Sequence, residues 1–381
     1  MGIRKFFAAG CCVLISLTSC GKTVERVPRK PVSVITTSTT TLSATTSAVS
    51  TQTTATAYIA SDTVVQSTAA VTAAPVQTAA IAAAATSAAV QTTSAPPRTT
   101  ASTAATTTQT TTTEIAASLT KEKLPQCKSA AFYCRNDDSY LYSDSINMCI
   151  APAGLVKLAT AATALKYTEL SDRFTVGSEM KFVDSDAIRA DLAQGNILTM
   201  NDLIAGMLIA SGNDAAYTIA VSTARAYEPD ADLSDSEAVD CFVDLMNKFA
   251  YNIGMYNTNF TNPDGWDDAD QYTTVSDLMR LADYVLNDPQ LSAIVSTHYK
   301  YVTFQTGQYT DWINTNQLLN AQSARYIPEC IGIKTGTTDD GGSCLLSAFS
   351  KNGKTYISAV TGCLSDDDCY DITLKMFNSL T

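Results

Sequence analysis

The sequence predicts a mixed α/β (α+β) fold, with one antiparallel sheet assembled from both ends of the folded region and covered by helices. Two patterns carry this expectation. Residues 121–381 alternate in strand fashion, with turn residues between, at their two ends, and show helical spacing of apolar residues through the middle. They also hold both tryptophans and nearly all the other aromatic and charged residues, at a length suited to one substantial domain.

In chain order, residues 129–133 and 140–142 read as two strands around the polar turn Arg135-Asn136-Asp137-Asp138. Pro152 then begins a helix running to about Tyr167, with Leu155, Leu158, Ala162 and Leu165 on one face. Helical spacing recurs over 199–210, 214–226, 234–253 and 274–286. Strands return over 330–337, 343–349 and 355–362, with turns at Asp339-Asp340-Gly341-Gly342 and Asn352-Gly353. A last helix over 367–380 is expected to close the domain.

The first 19 residues have the layout of a signal peptide: Arg4 and Lys5, then an apolar run from Phe6 to Leu17, too short to span a bilayer permanently. Leu17-Thr18-Ser19-Cys20 resembles the bacterial lipobox, which implies cleavage before Cys20 and lipidation of its thiol, and so a membrane partner reached through acyl chains. Residues 20–120 are then a stalk. From about Pro31 to Leu119 the chain is Thr, Ser, Ala and Val with almost no charge and no periodicity, so it cannot bury enough surface to offset its ordering entropy. As a coil it spans on the order of 50 Å, a reach suited to a cell wall.

Of 25 Lys/Arg and 37 Asp/Glu, seven and three fall before residue 121, which leaves the remainder with 18 bases, 34 acids and a net charge of −16. That balance argues against nucleic acid as a partner. Eight cysteines follow residue 120 without a zinc-type CxxC spacing, so no metal and no cofactor is expected. Cys363 and Cys369 bracket a short acidic stretch and are the pair best placed to bridge, a reduced pair being the open alternative. The single histidine, His298, lies in a Tyr-rich, strand-like stretch, which makes a histidine-based triad improbable.

Three short motifs carry the chemistry. Pro152-Ala153-Gly154-Leu155-Val156-Lys157 opens a helix, Ser211-Gly212-Asn213 follows one, and Lys334-Thr335-Gly336-Thr337 lies on a strand. Their order and approximate distances match the S-x-x-K, S-x-N and K-T-G set. Positions i and i+3 of a helix share a face, so a lysine amine at i+3 can act as general base for a group at i without any histidine. Ser211 can relay a proton, Asn213 can hold a substrate amide or carbonyl, and Lys334 can supply positive charge for a substrate carboxylate, with Thr335 and Thr337 as further substrate-binding residues of the same strand. Gly336 lets a peptide backbone lie close to the strand.

With these motifs the sequence resembles the low-molecular-mass D-alanyl-D-alanine carboxypeptidases, the S11-type serine peptidases of the penicillin-binding protein group. The likeness runs from about Ser129 onward and takes in residues 205–216, Asn262-Pro263-Asp264-Gly265 and Trp312-Ile313-Asn314-Thr315-Asn316. It implies a DD-peptidase/β-lactamase-like fold, a site for the D-Ala-D-Ala ends of peptidoglycan stem peptides, affinity for β-lactams, and action outside the cytoplasm. A class A β-lactamase is disfavoured, because the second motif is Ser-Gly-Asn rather than Ser-Asp-Asn.

One departure is serious. The family's nucleophilic serine stands three residues before the motif lysine, and Gly154 stands there in this chain. Cys149 is the nearest thiol upstream but precedes the helix. Without Oγ no acyl-enzyme forms at this position, a loss of roughly 10⁶-fold by analogy with nucleophile deletion in a serine protease. Three outcomes stay open: a pseudoenzyme that binds stem peptides, a residual hydrolase using Lys157 or Ser211 to activate water, and a structural surface protein.

Overall fold

The structure, a computed structural model, describes residues 126–380. The expected signal peptide, the lipidated Cys20 and the stalk lie outside the described residues.

Strands β1 (Ser129–Cys134) and β2 (Ser139–Asp144) form the opening hairpin. A 3₁₀ turn, Ala153–Leu155, leads into helix α1 (Val156–Ala164). The short strands β3 (Arg173–Thr175) and β4 (Ile197–Thr199) pair with each other ahead of the helices α2 (Met200–Ile209), α3 (Asn213–Tyr227), α4 (Asp235–Asn252), α5 (Val275–Asn287) and α6 (Pro289–Val295). A second small hairpin, β5 (Tyr299–Thr303) and β6 (Tyr309–Ile313), precedes β7 (Cys330–Thr338), β8 (Gly342–Lys351) and β9 (Lys354–Cys363). Helix α7 (Asp366–Asn378) follows.

The main sheet has the order β2-β1-β9-β8-β7, and every neighbouring pair is antiparallel. The opening hairpin therefore joins the closing strands through β1 and β9, with Ala131 opposite Ala359. Alternation along the strands divides the core. Ala131, Leu346, Ala348, Ile357 and Ala359 pack with Leu155 and Leu158 beneath the central helices. Phe132, Leu345, Phe349 and Val360 point the other way, against Ile372, Met376 and Phe377 of α7. Each such large side chain, buried on either face, contributes roughly 1.5–3 kcal/mol.

Helix starts follow the capping residues. Thr199, Thr274 and Ser365 each accept a hydrogen bond from the amide three residues on, and Ser234 with Glu237 forms a reciprocal capping box at α4. The first predicted helix differs from its expected form. Ala153 has a φ of 49°, left-handed for a non-glycine residue, so the α-helix begins only at Val156 and Gly154 sits in the 3₁₀ turn before it. Its end also comes earlier than Tyr167, because the amides of Lys166 and Tyr167 turn back to Thr163 and Ala164.

Cys363 and Cys369, the pair expected to bridge, are separate thiols whose Sγ atoms lie 2.7 Å apart. The first turn of α7 carries Cys369 back beneath the end of β9, which brings the two sulfurs together.

Candidate active site

Strand β7 is an edge of the main sheet, and the 3₁₀ turn before α1 lies against it. The approach is close enough to demand glycine on the strand. A Cβ on Gly336 would come within 2.4 Å of Gly154 N and 3.2 Å of the Ala153 side chain. Gly265, with a φ of 87°, is equally constrained, since a Cβ there would lie 2.0 Å from Ala153 O. These contacts bring the 3₁₀ turn, the loop after Pro263 and the edge strand to one place.

The cleft they enclose has a volume of about 820 Å³ and is lined by Gly154, Lys157, Ser211, Asn213, Thr335, Gly336 and Thr337 among others. Of the sequence-predicted site residues, only Lys334 and Cys20 are not on this lining. Lys334 lies immediately behind it, with no solvent exposure, while Cys20 is outside the described residues. Neither His298 nor Cys149 lines the cleft.

Lys157 is buried at the start of α1 and donates to Asp264 O at 2.5 Å. One turn further along α1, Thr160 Oγ1 donates to Pro263 O at 2.6 Å, so α1 holds the 263–264 backbone in place. Burial lowers the Lys157 amine from 10.5 to about 8, with the charges of Asp264 and Asp214 opposing the shift. Lys334 donates to Thr335 O at 2.9 Å, and its Nζ lies 2.9 Å from Ser211 Oγ. Burial, and then the nearby positive charge of Lys157, holds its amine well below the ordinary lysine value. One amine on the cleft lining and one immediately behind it are thus pushed toward the neutral form.

Ser211 has a φ of 65° in the turn between α2 and α3, and Asn213 is the first residue of α3. That turn is anchored by Asp214, whose buried carboxylate accepts from the amides of Ala190, Leu192 and Ala215 at 2.8 to 3.0 Å. Asn213 N in turn donates to Ile188 O at 2.8 Å. On the other wall, the Thr335 and Thr315 hydroxyls are 2.6 Å apart, and Thr337 Oγ1 donates to Asp366 Oδ1 at 3.0 Å.

At Gly154 itself there is no side chain to attack anything. A Cβ built there would lie 3.2 Å from Gly336 Cα and Thr335 O and 3.7 Å from Ser211 Oγ.

Sequence reasoning assigned no role to Asp264, Asp214 or Thr315. Asp264 is 2% exposed, and burial raises its carboxyl even beside Lys157. The signal for all three was present, since each lies inside a stretch already set apart by its likeness to the family. What could not be read was that a backbone carbonyl, Asp264 O, holds the motif lysine.

The comparisons agree with this geometry. The D-alanyl-D-alanine carboxypeptidase family model, Peptidase S11, matches residues 116–364. The chain is 27% identical over 248 residues to D-alanyl-D-alanine carboxypeptidase DacF of Bacillus subtilis, covering 64% of this chain and 59% of that protein. It is 29% identical over 260 residues to the D-alanyl-D-alanine carboxypeptidase of Streptomyces sp. strain K15, covering 64% and 83%. Against the crystal structure of the Streptomyces K15 DD-transpeptidase the TM-score is 0.60 at 25% identity, over 67% of this chain and 96% of the other. Penicillin-binding protein D2 from Listeria monocytogenes, in its ampicillin-bound form, gives 0.54 at 25% identity over 66% and 96%. With the DD-peptidase fold, the three motifs around one cleft and a family match over most of its length, the chain belongs to the D-alanyl-D-alanine carboxypeptidase family, peptidase family S11.

Proposed function

We propose that this protein binds the D-Ala-D-Ala ends of peptidoglycan stem peptides at the cell surface, with acyl-enzyme turnover strongly impaired because Gly154 replaces the nucleophile. One observation carries the reading: Lys157, Ser211, Asn213 and the Lys334-Thr335-Gly336-Thr337 strand meet at one cleft, on whose lining position 154 has no side chain.

In this reading the edge strand β7 takes the peptide backbone as an added strand, and Gly336 keeps the approach open. Asn213 holds an amide of the stem peptide. The terminal carboxylate lies at the Thr335 and Thr337 hydroxyls with Lys334 behind them. Gly154 N remains at the place where an oxyanion would form. Lys157 is a general base with no hydroxyl at position 154 to act on, and Ser211 is the proton relay. β-Lactams enter the same cleft without forming an ester at position 154. In this reading a signal peptide, a lipidated Cys20 and a stalk over residues 20–120 would hold the site outside the membrane, facing the wall.

Calorimetric titration with diacetyl-L-Lys-D-Ala-D-Ala tests this, with the all-L peptide as control. Saturable binding of the D,D peptide alone is expected. No heat with either peptide would leave the fold serving only as a surface scaffold.

A further inference from the structure

Ser211 occupies an unusual place relative to the missing nucleophile. Apart from the residues next to Gly154 in the chain, its Oγ is the nearest side-chain atom to the volume a β-carbon on Gly154 would fill, at 3.7 Å, with Gly336 Cα and Thr335 O of β7 at 3.2 Å. The residue is 6% exposed yet opens onto the cleft. Its left-handed backbone, at a φ of 65°, is a conformation that non-glycine residues hold only where the surroundings enforce it, commonly at functional sites. Here the enforcement comes from Asp214 and the Asn213 amide on the following turn.

The partner of that hydroxyl is Lys334 Nζ, 2.9 Å away and wholly buried. In the structure the amine donates to both Thr335 O and Ser211 Oγ, each at 2.9 Å; in its neutral form it keeps an N–H on Thr335 O and turns its lone pair to Ser211, whose hydroxyl then becomes the donor. A serine hydroxyl against a buried, uncharged lysine amine is one of the recurring ways to activate a serine, with no histidine required. Lys157, by contrast, spends its shortest contact on Asp264 O.

We propose that Ser211 is a substitute nucleophile, slowly acylated by β-lactams and by activated acyl-D-Ala donors, with Lys334 as its base. This rests on the reading that the cleft receives such ligands. In the step, Ser211 Oγ bonds to the lactam carbonyl carbon while its proton passes to Lys334 Nζ. The lactam C–N bond then breaks and the departing ring nitrogen takes that proton from Lys334. The product is an ester on Ser211 with the ring opened, and nothing is oxidised or reduced. The ligand's carboxylate favours the step by stabilising the lysine ammonium formed midway. Its slowness follows from geometry, because the backbone donors around Gly154 serve a carbonyl attacked from position 154, not one displaced by several ångströms toward Ser211.

The test is overnight incubation of the native chain with benzylpenicillin, followed by intact-mass measurement and peptide mapping, with calorimetric titration of the same sample to record non-covalent binding. The expected result is a one-to-one adduct on the peptide containing Ser211, absent from Ser211→Ala and slowed at least ~10²-fold in Lys334→Met. Mapping on the native chain keeps the test valid even if a variant fails to fold. Binding without any adduct would overturn the nucleophile assignment and leave the ligand reading intact. An adduct on another residue would overturn it as well, and absence of both binding and adduct would overturn the two together.

Discussion

Gly336 and Gly154 pack against each other beside the cleft so closely that a single methyl group on Gly336 would lie 2.4 Å from the Gly154 amide nitrogen. Strand and turn form one wall, and its spacing decides what the cleft admits.

Gly336→Ala is expected to force β7 away from the 3₁₀ turn. Overpacking against backbone costs about 1–3 kcal/mol. Chemical denaturation should register that loss, and binding of a D-Ala-D-Ala peptide should weaken by at least about tenfold, since the displaced strand also carries Thr335 and Thr337.

The buried carboxylate of Asp214 holds three backbone amides and thereby the Ser211-Gly212-Asn213 turn. Asp214→Ala leaves those donors without an acceptor, at a cost of about 3 kcal/mol or more. Asp214→Asn retains one side-chain oxygen and should lose less. Urea midpoints of the two variants against the native chain measure the difference.

Burial gives Lys157 a folded value of about 8 against an ordinary value of 10.5. Between those limits the unfolded chain holds a proton that the folded chain has released, so this residue makes stability rise with pH through that window. Below about 8 the folded protein bears the full cost of a desolvated ammonium. Lys157→Met should therefore be most favourable relative to the native chain near neutral pH and progressively less so toward 10.5. Parallel denaturation series from pH 7 to pH 10 measure the trend; a difference that stays flat across the series would contradict the buried, proton-releasing amine.

The site was legible in the sequence to the extent that chemistry resides in short motifs. Lys157, Ser211, Asn213 and Lys334-Thr335-Gly336-Thr337 could be set apart before any fold was known, and the structure brings them together. The main sheet and the long helices were legible too, because β7, β8 and β9 are runs of nine or ten residues bounded by turn signals and α4 opens on Ser234 with Glu237 three places on. The small elements were not. Strands β3 and β4 have three residues each and α6 has seven, too few for a period to show, although Asp288-Pro289 is a helix-start signal. The hairpin of β5 and β6 was read only as a Tyr-rich, strand-like stretch around His298. Nor could sequence spacing show that Ala153 adopts a left-handed backbone and so delays α1. That conformation is imposed by contacts with β7 and Gly265 far along the chain.

The most direct test compares D-Ala release from diacetyl-L-Lys-D-Ala-D-Ala by the native chain and by Gly154→Ser under identical conditions. The substitution is sterically tolerable, because the new Cβ would sit 3.2 Å from Gly336 Cα and Thr335 O and asks β7 to yield by a few tenths of an ångström. If the cleft is intact and lacks only its nucleophile, the variant should release D-Ala at least ~10³-fold faster than the native chain. Equal rates in the two proteins, with peptide binding retained in both, would contradict the assignment of position 154 as the vacant nucleophile site.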